Sequence, residues 1–224
     1  MMGASFGPRQ LLLALDHTVS FARDDFLAGP SNAAALALIE RWPDWPARVM
    51  ALVGPKGAGK SHLAAMWAES SGARILSAKL LPDTDLPAAF ATGALVVEDI
   101  DPTDLDERAL FHLLNLVREL DAYVLITARS APSGFKVGIR DLASRLRAVP
   151  SVVLAPPDDQ LLRALIVKLA ADRQIPVDDA LVNYLATRIE RSFEAAHAAI
   201  ARLDEEAMRQ HRPVTRALAV ELFR

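Results

Sequence analysis

Residues 54–61 read Gly54-Pro55-Lys56-Gly57-Ala58-Gly59-Lys60-Ser61 and match the phosphate-binding pattern G-x-x-x-x-G-K-[ST]. An apolar run over 49–53 leads into it. His62-Leu63-Ala64-Ala65-Met66-Trp67-Ala68 leaves it with helical spacing. Strand, glycine turn and helix is the order that phosphate chemistry needs. Glycines let backbone N–H groups close on the anion, and the helix N-terminus adds a partial positive charge. In such a loop the Lys60 ammonium reaches the β- and γ-phosphates and the Ser61 hydroxyl sits on Mg²⁺. A glycine turn that merely opens a helix would not need all three fixed positions together with both flanks.

Working outward, strands and helices alternate. The pattern predicts a helix over 32–42 capped by Ser31 or Asn32, strands over 49–53, 73–77, 94–98, 123–127 and 151–154, and helices over 61–69, 86–91 and 106–120. Alternation of this kind implies an α/β fold with a parallel sheet covered by helices on both faces. The segment 129–147 reads as a loop carrying Arg129, Lys136, Arg140, Arg145 and Arg147 against Asp141 alone, a local basic patch suited to phosphate or an acidic partner. After Pro156-Pro157 only helices follow, over 159–173, 178–189, 193–209 and 216–223. The expected organisation is therefore a flexible N-terminal tail over 1–20, a nucleotide-binding core over 21–156 and a small helical domain over 157–224.

Composition bounds the rest. The chain has 224 residues, is 52% hydrophobic, carries a formal charge of −3 and contains no cysteine. That supplies a real core, excludes disulfides and thiolate metal sites, and leaves no global electrostatic footprint for nucleic acid. No apolar run approaches the ~20 residues of a membrane span. No secretory signal is evident, so a cytoplasmic protein is expected.

Two further elements carry chemistry. Ala94-Leu95-Val96-Val97-Glu98-Asp99 is an apolar strand ending in two carboxylates, which after a phosphate loop can hold the Mg²⁺ shell and orient water. Thr127 ends the strand Tyr123-Val124-Leu125-Ile126-Thr127, where polar side chains meet a γ-phosphate; a solvated strand end is the competing reading.

These residues together resemble the AAA+ ATPases of the bacterial initiator DnaA group, and within it the Hda-type regulators. The likeness rests on Phe26-Leu27-Ala28-Gly29-Pro30-Ser31-Asn32, on the loop continued as Lys60-Ser61-His62-Leu63, on Glu98-Asp99-Ile100 and on Leu142-Ala143-Ser144-Arg145-Leu146. It covers the chain from about Phe21, with the helical remainder similar to the family's lid. The resemblance implies ATP or ADP with Mg²⁺ as ligand, held by residues 54–61 and His62, and Arg145 as an arginine finger acting in trans. Gln10, Leu11, Leu13 and Leu15 are similar to the short peptides that bind the DNA polymerase III sliding clamp. The implied partners are that clamp and the initiator DnaA, with self-association open and no membrane partner. The chain stops at Arg224, soon after the lid-like helices, so no sequence-specific DNA binding of its own is expected.

Departures from the family pattern also carry meaning. Glu98 precedes Asp99 where the usual order puts Asp first. Glu194 stands where the lid usually supplies a phosphate-contacting arginine, with Arg191 one turn away as a substitute. Arg129 and Ser130 replace an Asp-Arg pair. The expectation is a regulator with weak intrinsic hydrolysis; the alternative is an autonomous ATPase of the DnaC-like helicase-loader kind.

Overall fold

Apolar residues that alternate along each strand sort onto the two faces of one sheet, and the helices cover both. The computed structural model describes residues 21–223. After a 3-10 turn at Arg23–Asp25 come α1 (Ala33–Glu40), β1 (Val49–Val53), α2 (Lys60–Ser71), β2 (Arg74–Ser77), α3 (Leu86–Ala89), β3 (Ala94–Ile100), α4 (Glu107–Glu119), β4 (Tyr123–Ala128), α5 (Arg140–Arg147) and β5 (Ser151–Val153). Then α6 (Asp159–Asp172), α7 (Asp179–Arg188), α8 (Phe193–Gln210) and α9 (Arg216–Leu222) follow. The strand order is β2-β3-β4-β1-β5, and every pairing is parallel.

Successive side chains of a strand point to opposite faces. Accordingly Met50, Leu52, Val96 and Leu125 pack with Leu36 and Ile39 of α1 and with Leu63 and Trp67 of α2. Ala51, Val53, Leu95, Val97, Val124 and Ile126 pack on the other face with Leu110, Leu113 and Val117 of α4 and with Leu142 and Leu146 of α5. Because both faces are covered, the central strands carry near-continuous apolar runs. Helices α6 to α9 enclose a separate apolar cluster that includes Ile166, Leu185, Ile200, Leu203 and Leu218. Carboxylates and hydroxyls start them: Asp158, Asp178, Ser192 and Thr215 accept the amides of Leu161, Leu181, Ala195 and Leu218.

The basic segment departs from its reading as a loop. Its second half is helix α5, which buries Leu142 and Leu146 one turn apart on the sheet side. The Glu107 carboxylate at the start of α4 accepts the amides of Gly138 and Ile139 and so ties the entry of α5 to α4. Asn32 also differs from a simple cap. It is 2% exposed, its Oδ1 accepts the Gly29 amide, and its Nδ2 donates to the Leu27 carbonyl, so it braces the segment that leads into α1.

Candidate functional site

Sheet order brings the C-terminal ends of β1, β4 and β3 together, since Val53 pairs with Ala128 and Ala128 with Ile100. Ligand sites in open parallel sheets form outside these ends. At Gly54 the chain leaves β1 so close to β5 that a Cβ would stand 2.5 Å from the Leu154 carbonyl oxygen, while the Gly54 amide donates to Ala128 O at 3.1 Å. Glycine is thus required there by space. The loop over 55–59 passes through left-handed backbone at Gly57 (φ 72°) and Gly59 (φ 95°). Gly59 caps α2 without a side-chain hydrogen bond, leaving the first-turn amides of α2 free of a capping acceptor.

Lys60, 7% exposed, donates from Nζ to the carbonyls of Gly54 and Pro55, both at 2.9 Å. Burial pulls its pKa below the ordinary lysine value; Asp99 and Glu98 act upward and Arg129 downward. Asp99 occupies left-handed backbone (φ 55°) within an irregularity of β3 between Val97 and Ile100. Its amide donates to Thr127 Oγ1 at 2.9 Å. Thr127 is wholly buried, so its hydroxyl holds the β3 terminus in place and is not a solvated strand end.

A cavity of about 810 Å³ opens between the loop, the ends of β3 and β4, and helices α6 and α8. Phe21, Phe26, Leu165, Leu169 and Phe193 give it apolar wall; Lys56, Lys60, Ser61, Asp99 and Arg129 give it charge and a hydroxyl. The mixture suits a ligand with a flat apolar part and an anionic part. His62 also lines it. Its ring meets Phe21 and Phe26 edge-on at 5.3 and 5.2 Å, and Nε2 lies 3.1 Å from the Ala22 carbonyl, which requires the proton on that nitrogen. Burial holds the His62 pKa below the usual imidazole value, so the ring is neutral at pH 7.

Of the two carboxylates, Asp99 faces the cavity and Glu98 does not line it. Glu98 Oε1 is buried without a hydrogen-bond partner among the described residues, a costly state for an anion that a cation or its bound water would relieve. No three His, Cys, Asp or Glu side chains converge as a ligand set among the described residues. A divalent ion here would draw on Ser61 and these carboxylates and complete its shell from phosphate and water, the habit of Mg²⁺.

Helix α8 docks directly on the loop. The Phe193 amide donates to Gly57 O at 2.9 Å, Glu194 pairs with Lys56 at 3.0 Å, and Ser192 lies so close that a Cβ on Gly57 would meet it at 2.8 Å. Arg191 does not come to the cavity; it pairs with Asp159 at 2.7 Å. Arg145 is also remote from the lining: its guanidinium lies 4.8 Å over the Phe111 ring, with Nη1 buried and unpaired among the described residues. Gln10, Leu11, Leu13 and Leu15 lie outside the described residues.

Sequence reasoning missed the far wall. Leu165, Lys168, Leu169 and Asp172 share one face of α6, and Lys168 bridges Asp25 at 2.6 Å and Asp172 at 2.8 Å. Burial alone would lower Lys168, yet the hydrogen bonds it donates to Asp172 and Asp25 outweigh it and hold its pKa above normal. The i, i+3, i+4, i+7 spacing was the available signal.

No family model matches the chain. In sequence it is 26% identical over 235 residues to the chromosomal replication initiator protein DnaA of Thermomicrobium roseum, covering 90% of this chain and 49% of that protein. The chain therefore spans about half the length of that relative. In fold it resembles domain III of Thermotoga maritima DnaA (TM-score 0.73, 18% identity, 90% of this chain and 95% of that one). The Thermotoga maritima RuvB branch-migration motor gives TM-score 0.67 at 18% identity over 90% of this chain and 70% of that one. AMPPCP-bound DnaA from Aquifex aeolicus gives TM-score 0.64 at 15% identity over 84% of this chain and 68% of that one. The chain is thus similar in sequence to DnaA and shares the fold of DnaA domain III.

Proposed function

We propose that the chain binds an adenine nucleotide, ATP or ADP with Mg²⁺, in this cavity, and serves as an Hda-type regulator of replication initiation. One observation carries the nucleotide reading: the loop over 54–61 joins β1 to α2 so that Lys60, Ser61 and Asp99 meet in a single cavity with aromatic walls. A relative solved with AMPPCP supports it. When bound, Mg²⁺ supplies charge neutralisation between the phosphates and the carboxylates. Lys60 holds the phosphates, Ser61 and the carboxylates orient oxygen ligands, and Phe21, Phe26 and Phe193 exclude water from the base. On this reading 21–156 is the nucleotide-binding core and 157–224 the lid.

The regulatory part of the proposal adds a clamp-binding peptide at Gln10, Leu11, Leu13 and Leu15 and a finger at Arg145 that enters the ATP site of DnaA. The protein works in the cytoplasm. No helix of the described residues is long and apolar enough to cross a membrane. The experiment is a hydrolysis assay with purified chain, DnaA and DNA-loaded sliding clamp, added singly and together. The expected result is turnover below about 1 s⁻¹ for the chain alone, against an enzyme median near 10 s⁻¹, with stimulation only in the full mixture. Faster turnover by the isolated chain would favour the DnaC-like loader reading, which the cavity-facing Asp99 keeps in contention.

Glu194 gives a second check. Its carboxylate lines the cavity and neutralises Lys56. Glu194→Arg removes a negative charge from the phosphate site and frees Lys56, so nucleotide affinity should rise by roughly three- to tenfold, within the range of partly exposed charges. Calorimetric titration measures it; weaker binding would mean that the Lys56 pair is needed to shape the loop.

A further inference from the structure

Helices α7 to α9 carry an arginine-rich face whose residues do not line the nucleotide cavity. The Tyr184 ring of α7 takes two guanidinia, Arg188 with its Cζ 5.5 Å from the ring centre and Arg216 of α9 at 5.9 Å. Arg202 of α8 lies 5.3 Å over the Phe223 ring. The Tyr184 hydroxyl donates to the Phe223 carbonyl at 3.0 Å, so the two rings belong to one surface. All three arginines are exposed.

Their charges go unanswered within the chain. Nearby carboxylates on the same helices are engaged elsewhere: Glu206 holds Arg209, Glu221 holds Arg212, and Asp204 faces Arg173 at 3.9 Å. Asp179, Glu190 and Glu205 form no ion pair with the three among the described residues. Like charges gathered on two neighbouring rings repel, and an external polyanion relieves the repulsion. Stacking by its face on a ring orders each guanidinium plane and leaves its N–H edges for other acceptors.

We propose that this face binds the phosphate backbone of a nucleic acid, with Arg188, Arg202 and Arg216 each on a phosphate and no base sequence read. A nucleic-acid strand offers a phosphate for roughly every 3.4 Å of helix axis, so successive phosphates serve both guanidinia on Tyr184 whatever the sequence. An acidic peptide would need carboxylates placed to match. Asn183 and Thr187, exposed four residues apart on α7 beside Tyr184 and Arg188, add the uncharged polar side chains that accompany arginine at phosphates. With a formal charge of −3 on the whole chain, the attraction is confined to this face and is therefore weak and salt-sensitive.

The test is fluorescence anisotropy of end-labelled, mixed-sequence DNA of about 20 nucleotides, single-stranded and duplex, titrated with the whole chain between about 50 and about 200 mM salt. Three neutralised phosphates give an expected slope of log affinity on log salt of about −2 for the single strand and about −3 for the duplex. The Arg188→Gln/Arg216→Gln chain should bind both probes about tenfold more weakly at the lowest salt, with the slope shallower by roughly 1.5. Arg202→Gln, which leaves the Tyr184 contacts intact, should flatten the slope by roughly half as much. Arg188→Lys/Arg216→Lys keeps both charges and should keep the slope. Absence of binding by the wild-type chain at about 50 mM salt overturns the proposal. So does a wild-type slope in the glutamine variants, or a loss seen instead in an Arg140→Gln/Arg147→Gln chain. Displacement of both DNA probes by polyglutamate at equal charge concentration would assign the face to an acidic polypeptide and overturn it as well.

Discussion

Lys60→Ala is expected to lower nucleotide affinity by roughly ten- to a hundredfold, because it removes a charge-assisted contact worth about 1.5–3 kcal/mol. Its effect on stability should be smaller than that of a normal core truncation. Lys60 is 7% exposed and its pKa is lowered, above all by burial, so the folded chain holds that proton less firmly than the unfolded chain does. For a lysine with a lowered pKa, the penalty of keeping it charged is fully present below the folded pKa. The penalty is relieved as pH rises from the folded pKa toward the ordinary lysine value. Alanine removes this penalty and also removes the ammonium that Gly54 O and Pro55 O accept from, two effects of opposite sign. Thermal melting should therefore change little while calorimetry records a large loss of binding. The wild-type chain should also lose affinity at a pH below that at which free lysine titrates. Unchanged affinity in the variant would separate the loop from nucleotide binding.

The contrast shows which parts of the site were legible before the fold was known. Gly54, Gly57, Gly59, Lys60 and Ser61 announce themselves because phosphate chemistry demands glycines and a lysine at fixed spacing, and the flanking strand and helix are local patterns. The β1, β3 and β4 strands are equally plain, since a sheet covered on both faces needs unbroken apolar runs. Helix α5 was hidden because it has eight residues and its basic ones overshadow Leu142 and Leu146, whose spacing alone marks a buried face. Which carboxylate faces the cavity depends on an irregularity in β3 and on a hydroxyl from β4. Neither leaves a mark in Glu98-Asp99 itself. The Lys56 to Glu194 pair joins positions 138 residues apart, neighbours because α8 docks on the loop. Local rules therefore find the phosphate loop, and tertiary packing decides what surrounds it.

Arg145→Ala should abolish stimulation of ATP hydrolysis by DnaA in the mixture containing DNA-loaded clamp, and it should leave nucleotide binding by this chain unchanged. Fingers supplied in trans contribute about 10³–10⁵ in kcat, so the loss would far exceed any indirect effect. Within the chain the arginine is held lightly. Leu142 and Leu146 fix the inner face of α5, while the Arg145 guanidinium rests on the Phe111 ring with Nη1 buried and without a partner among the described residues. Leaving the ring costs about 0.5–1 kcal/mol, and an unpaired Nη1 stands to gain a hydrogen bond wherever a phosphate oxygen is offered. Release into a partner's site is therefore uphill only slightly before the new contacts form. Arg145→Lys should rescue poorly, since a point charge cannot reproduce the planar fork. Phe111→Ala frees the guanidinium and removes a partly buried ring, so it should lower thermal stability yet preserve stimulation. Full stimulation by Arg145→Ala would pass the role to Arg140 or Arg147, the exposed arginines of the same helix, or end the proposal that the chain donates a finger at all.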